Sequence, residues 1–141
     1  RLSMHGSLIG DNRAGADCLA APGGLLATGA NLDTDGSCAA LSPTSGGVTT
    51  VPELGLGPLA DIGGWTSGQL PAAGSAALDS APACATWPGA PLVTDQRGYP
   101  RPTDDDGDLE PECDLGAVER GPIFLDGFES GDPRRWSGSD A

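Results

Sequence analysis

The sequence predicts an all-β chain of very short strands and ordered turns, stacked in the manner of a solenoid. Three observations carry this. First, 23 glycines and 13 prolines occupy about a quarter of 141 residues, so no stretch is long and uninterrupted enough for a conventional helix. Second, hydrophobic residues still reach 38%, which argues against disorder, yet aromatics are only 4%. A core lined by Ala, Leu and Val is narrow, and a stacked sheet suits it better than a globule packed around large rings. Third, Cys18 and Cys38 bracket a segment of 20 residues, the length of one turn of a solenoid.

Composition also bounds function. A net charge of −13 argues against nucleic acid or an anionic membrane surface as partner. Four cysteines with a single histidine and no C-x-x-C pair read as two disulfides in an oxidising compartment, with zinc as the weaker reading. Four cysteines allow three connectivities, of which the sequential one, Cys18 with Cys38 and Cys84 with Cys113, is expected here. No apolar run approaches the ~20 residues that span a bilayer. The chain opens directly on a strand-like segment, which is expected of a processed piece of a longer precursor.

Residues 2–9, LSMHGSLI, put Leu2, Met4 and Leu8 on one face and Ser3, His5 and Ser7 on the other, the period-2 pattern of a half-buried strand. His5 falls on the polar face and is expected in solvent, since no Ser or Cys beside it completes a catalytic dyad. Between the first two cysteines, Leu25 and Leu26 form an apolar burst. The Asp33-Thr34-Asp35-Gly36 run follows, read as a solvated turn because it lacks the further ligands of a calcium loop. Residues 41–84 alternate short apolar runs with Gly and Pro. Trp65, after Gly63-Gly64, and Trp87, in the following TWPG, are either covers of a small core or contacts for a glycan or partner.

The densest chemistry lies in residues 94–119, TDQRGYPRPTDDDGDLEPECDLGAVE. Asp95, Arg97 and Arg101 are expected to form a turn and ion-pair scaffold, Cys113 a staple to Cys84, and residues 115–118 a closing strand. The acidic run reads first as a solvated loop. Calcium, on Asp104, Asp106, Asp108 and Glu110, is its second reading. Catalysis ranks below both, because a carboxylate pair must be held rigidly with one pKa raised by burial. Beyond Glu119, residues 120–141 carry three of the six aromatics, Phe124, Phe128 and Trp136, and the segment is expected to dock on its own or a neighbouring copy's surface.

Four segments in order, LGPLADIGG, LPAAGSAALDSA, TDQRGYPRP and CDLGAVE, resemble the C-terminal signature of bacterial choice-of-anchor Q domain proteins, over residues 17–119. The tail LDGFESGDPRRWS is similar to a short C-terminal segment recurrent in secreted bacterial proteins. This chain departs from the family at Ile62-Gly63-Gly64-Trp65 and at Ser75-Ala76-Ala77. The resemblance implies a secreted or surface-displayed right-handed parallel β-helix, with residues 1–119 as terminal rungs and cap. With the carboxylates gathered in Gly and Pro turns, the expected function is structural and non-enzymatic, with no cofactor unless calcium binds. Members carry many rungs before this signature, whereas only about two precede it here. An unfinished solenoid end exposes strand edges, which either further N-terminal rungs of a longer protein or another copy would cover; copies of the chain, joined head-to-tail and extendable to a filament, are the expected partner. A carbohydrate-binding or polysaccharide-degrading β-helix is the alternative.

Overall fold

The computed structural model describes residues 2–42, 47–105 and 107–121. Five short strands and one short helix follow in order: β1 Leu2–His5, β2 Leu8–Ile9, β3 Leu25–Thr28, β4 Leu32–Asp33, α1 Ser37–Leu41 and β5 Thr49–Thr50. They make two small parallel sheets, β1-β3 and β2-β4-β5, and neither closes on itself. Leu2 lies opposite Leu25 and Leu8 opposite Leu32, so the second pass of the chain repeats the first after 23 or 24 residues (25 − 2, 32 − 8). Leu32 lies opposite Thr49, a step of 17 (49 − 32). The all-β expectation therefore holds as mostly strands and turns with little helix, the named strands lying in two small, open parallel sheets.

Each pass breaks into two strands at a glycine corner. Gly6 (φ 58) separates β1 from β2, and Gly29 (φ 63) separates β3 from β4. The second position admits no side chain, because a Cβ there would lie 2.8 Å from the His5 ring. Asn31 fills the corner and ties three passes together. Its Oδ1 accepts from Ser7 N at 3.0 Å, and its Nδ2 donates to Thr28 O at 3.0 Å and Gly47 O at 2.6 Å. With the side chain fully buried, these bonds replace the water it has lost.

The first core cluster is Met4, Cys18, Leu25, Ala27 and Cys38, and the second is Leu32, Leu54, Ala77 and Leu115. The Cys18–Cys38 disulfide, with Cα atoms 4.9 Å apart, lies inside the first. Leu2, expected on the buried face, is 50% exposed at the open edge of β1. The Asp33-Thr34-Asp35-Gly36 run is a solvated turn only in part: residues 34–36 are bends with Asp35 exposed, but Asp33 is not in solvent. Asp33 is fully buried, and its Oδ2 accepts the N–H groups of Cys38 and Ala39 at 2.9 and 3.2 Å, so it caps α1 from outside the helix. That carboxylate, with Asp35 accepting from Ser37 N at 2.9 Å, explains a helix that the sequence pattern did not announce.

From Leu54 onward the described chain forms isolated antiparallel bridges, among them Leu56 with Pro71, Ala81 with Cys113 and Thr94 with Pro100. Prolines lack the donor that a longer ladder needs. The closing strand expected at 115–118 is a run of bends instead. Leu115 N donates to Ala77 O and Gly116 N to Gly6 O, so these residues lean against two different neighbours, and Gly116 has a φ of 102. The Cys84–Cys113 disulfide, with Cα atoms 5.6 Å apart, pins residues 81–92 to residues 94–119, which form a clasp.

Candidate functional site

The clasp is organised by carboxylates that collect backbone N–H groups. Asp95 folds the 94–100 hairpin around itself: Oδ1 accepts Arg97 N at 2.7 Å and Tyr99 N at 3.0 Å, and Oδ2 accepts Arg97 Nε at 2.8 Å and Glu119 N at 3.1 Å. Arg97 lies 4.2 Å over the Tyr99 ring and donates to the carbonyls of Ile62 and Glu119. The Asp95–Arg97 ion pair is almost wholly buried.

A second buried pair stands beside the first. Arg101 Nε lies 2.9 Å from Glu119 Oε1, a Coulombic contact rather than an aligned hydrogen bond, and Arg101 Nη2 donates to Gly116 O at 2.9 Å. Glu119 takes Asp114 N on Oε1 at 3.1 Å and the Thr103 hydroxyl on Oε2 at 3.2 Å. Asp114 accepts Asp79 N at 2.9 Å and Arg120 N at 2.6 Å. Thus Asp95, Arg97 and Arg101 do form the ion-pair scaffold, with Glu119 as the fourth member.

Asp79, Asp105 and Asp114 converge, with one oxygen of each within 4.8 Å of the others. Among the described residues this is the group whose chemistry fits a hard cation. The chain's own donors already engage it, since Asp105 Oδ2 accepts the Thr103 hydroxyl at 2.8 Å and Gly121 N at 3.2 Å. Of the acidic loop read for calcium, Asp104 caps Gly107 N and Leu109 N, and Asp108 caps Glu110 N. Asp106 lies outside the described residues, as do Phe124, Phe128 and Trp136.

Burial pushes the Glu119 carboxyl up to about 7, against the pull of Arg101's charge, and neighbouring Asp114 adds to the rise. Burial likewise raises Asp114 above the usual carboxylate range. Asp95 goes the other way: burial works to raise it, but the Arg97 guanidinium and the N–H groups of Tyr99, Arg97 and Glu119 outweigh burial and hold it low. The sign for stability follows. Folded Glu119 keeps its proton above the 4.5 at which the unfolded group ionises, so its contribution is complete below about 4.5 and is lost as pH rises through about 7. Asp114 acts in the same sense, while Asp95 loses its contribution as pH falls through its own low pKa. Urea melts are therefore expected to show greater stability at pH 5 than at pH 8, by on the order of 2 kcal/mol once solvent screening at the network's edge is allowed for. Equal midpoints, or a higher one at pH 8, would contradict this.

A cleft of about 510 Å³ opens beside the network, between the 81–92 segment and the first glycine corners, with Arg101 and Asp114 in its lining. His5 is half-buried here rather than solvated. Its Nε2 pairs with Ala85 O at 3.2 Å and its Nδ1 with Thr28 Oγ1 at 3.1 Å, and the ring centroid stands 6.1 Å from that of Trp87. Pairing with a carbonyl makes Nε2 the protonated nitrogen. Trp87 lines the cleft and is 62% exposed, whereas Trp65 is fully exposed and stands outside its lining. The sequence reading passed over Asp79, Asp114 and Glu119. The signal for the last two was an acid set directly among Cys, Leu, Ala and Val, residues that go inside.

No family model, no curated protein and no solved structure matches the chain.

Proposed function

We propose that the chain is a non-enzymatic structural protein of the cell exterior, the terminal rungs of a right-handed parallel β-helix, which joins copies of itself head-to-tail. Its kinship, on this reading, is with the C-terminal region of choice-of-anchor Q domain proteins. One observation carries the proposal. The sheet β2-β4-β5 is parallel throughout and open at both ends, and among the described residues no strand pairs with the outer edge of β2 or of β5. In a parallel sheet those two free edges are complementary, so a translation along the stacking direction sets β5 of one copy against β2 of the next. Such a contact does not close, and it propagates.

Two disulfides, and the absence among the described residues of any helix long and apolar enough to cross a membrane, agree with an exterior location. Both oxygens of Glu119 and of Asp114 are taken by the chain's own donors, which favours a staple over the acid–base pair that polysaccharide cleavage needs. Phe124, Phe128 and Trp136 would add an apolar contact between copies.

The test is an edge variant. Thr49 N and Val51 N donate inward to Asn31 O and Asp33 O, so the Thr50 N–H points to the free edge. Thr50→Pro deletes that donor and leaves the inward ladder intact, the one setting in which a strand accepts proline. Wild-type protein is expected to give concentration-dependent large species by light scattering and filaments by negative-stain microscopy, and Thr50→Pro to give monomers with unchanged circular dichroism. A wild type that is monomeric at high concentration, or a variant that assembles equally well, would refute the reading.

A further inference from the structure

We propose that the cleft between residues 81–92 and the clasp is a binding site for a neutral saccharide, with Trp87 as the stacking platform for one pyranose ring. This is a second function, independent of assembly. Its volume of about 510 Å³ lies within the ~300–1,000 Å³ typical of small-ligand sites. Trp87 leaves 62% of its surface open, which offers an indole face to the C–H groups of a sugar.

The wall that carries the platform is anchored. The His5 ring centroid stands 6.1 Å from that of Trp87 at a tilt of 48°, with His5 itself held by Ala85 O and Thr28, and the Cys84–Cys113 disulfide ties the wall to the residue preceding Asp114. The wall is therefore ordered before a ligand arrives. Gly89 also lines the cleft, and nothing lies within 4 Å of where its Cβ would be, so backbone there can come close to a bound ring.

The polar groups select the ligand class. The lining offers no free charge: the Arg101 side chain is almost wholly buried against Glu119, and the two Asp114 oxygens accept Asp79 N and Arg120 N. A charged ligand therefore finds no open counter-charge, and an anion is further disfavoured by a net charge of −13. Thr86 adds a hydroxyl, which a wholly apolar ligand would strip of water. A neutral polyol, with hydroxyls that both donate and accept around an apolar C–H face, suits this hydroxyl and the indole together.

The full chain would be screened against a neutral oligosaccharide array, then titrated with methyl glucoside, methyl galactoside, methyl mannoside and N-acetylglucosamine by saturation-transfer NMR. The expected result is saturation transfer from a neutral sugar, weakened about tenfold or more in Trp87→Ala, partly retained in Trp87→Phe, and unchanged in Trp65→Ala. Circular dichroism of each variant checks that the fold survives. The monomeric Thr50→Pro chain should bind equally well, which separates this site from assembly. Failure of every neutral sugar to bind, binding confined to charged saccharides, or a loss that follows Trp65 in place of Trp87 would each overturn the proposal.

Discussion

Arg101→Met is expected to lower the unfolding free energy by about 2–3 kcal/mol at pH 8. The side chain is almost wholly buried against Glu119, whose own side chain is fully buried. Methionine fills much of the volume but leaves Glu119 without its counter-charge, and Gly116 O without the donor it receives from Nη2. A carboxyl that already titrates at about 7 escapes by taking a proton, at about 1.4 kcal/mol per pH unit, so charge and the unsatisfied carbonyl contribute comparably at pH 8. A loss of this size is a large part of a typical domain's stability.

Two consequences distinguish this cause from simple loss of packing. Glu119 already tends to hold its proton near neutrality, and removing Arg101 takes away the one full positive charge paired with it. At pH 5 Glu119 is a neutral acid in wild type and variant alike, and the charge part of the deficit should vanish. The double variant Arg101→Met, Glu119→Leu should recover much of the stability at pH 8, since two apolar groups replace the pair. Urea unfolding at both pH values is the measurement. An Arg101→Met deficit that is the same at pH 5 and pH 8, or a double variant no better than the single, would mean that packing rather than charge sets the cost.

What the sequence disclosed and what it concealed divide by distance along the chain. The strand character of residues 2–9, the apolar burst at Leu25 and Leu26, and the turn chemistry of Asp95 with Arg97 are local patterns. A period-2 alternation or an Asp that bonds the N–H two residues on leaves its mark within a few positions. His5 could not be placed that way, because its partner Ala85 O is 80 residues distant and the alternation of its own strand pointed it to solvent. Asp33 misled for a related reason. Asp-Thr-Asp-Gly is a turn in composition, but the free N–H groups of Cys38 and Ala39 turned its carboxylate inward. The candidate site was the least legible part. The raised affinity of Glu119 for its proton arises from desolvation and from the proximity of Asp114, neither of which exists until the clasp has folded against Ala77 and Asp79.

The two disulfides are expected to differ in what their removal does, although loop-closure entropy rates them alike. Closing loops of 20 and 29 residues is worth about 3.5 kcal/mol in each case. Their surroundings are not alike. Cys18 and Cys38 belong to a cluster of five buried residues, so Cys18→Ala, Cys38→Ala removes packing from around Met4 and Leu25 as well as the cross-link. The loss should exceed the entropic figure by about 1 kcal/mol or more, and the β1-β3 sheet should lose hydrogen-exchange protection first. Cys84→Ala, Cys113→Ala cuts a cross-link whose Cys113 end stays held, through Ala81 N to Cys113 O and through the Asp114 and Glu119 bonds. Its cost should stay at or below the entropic figure, with the local opening confined to residues 81–92 and hence to the wall of the cleft. Hydrogen exchange on both double variants decides the matter. Loss of protection in β1 and β3 on cutting Cys84–Cys113, with the 81–92 segment unaffected, would show that the clasp and the sheets fold as one unit and that the bridge near the cleft is not what holds its wall.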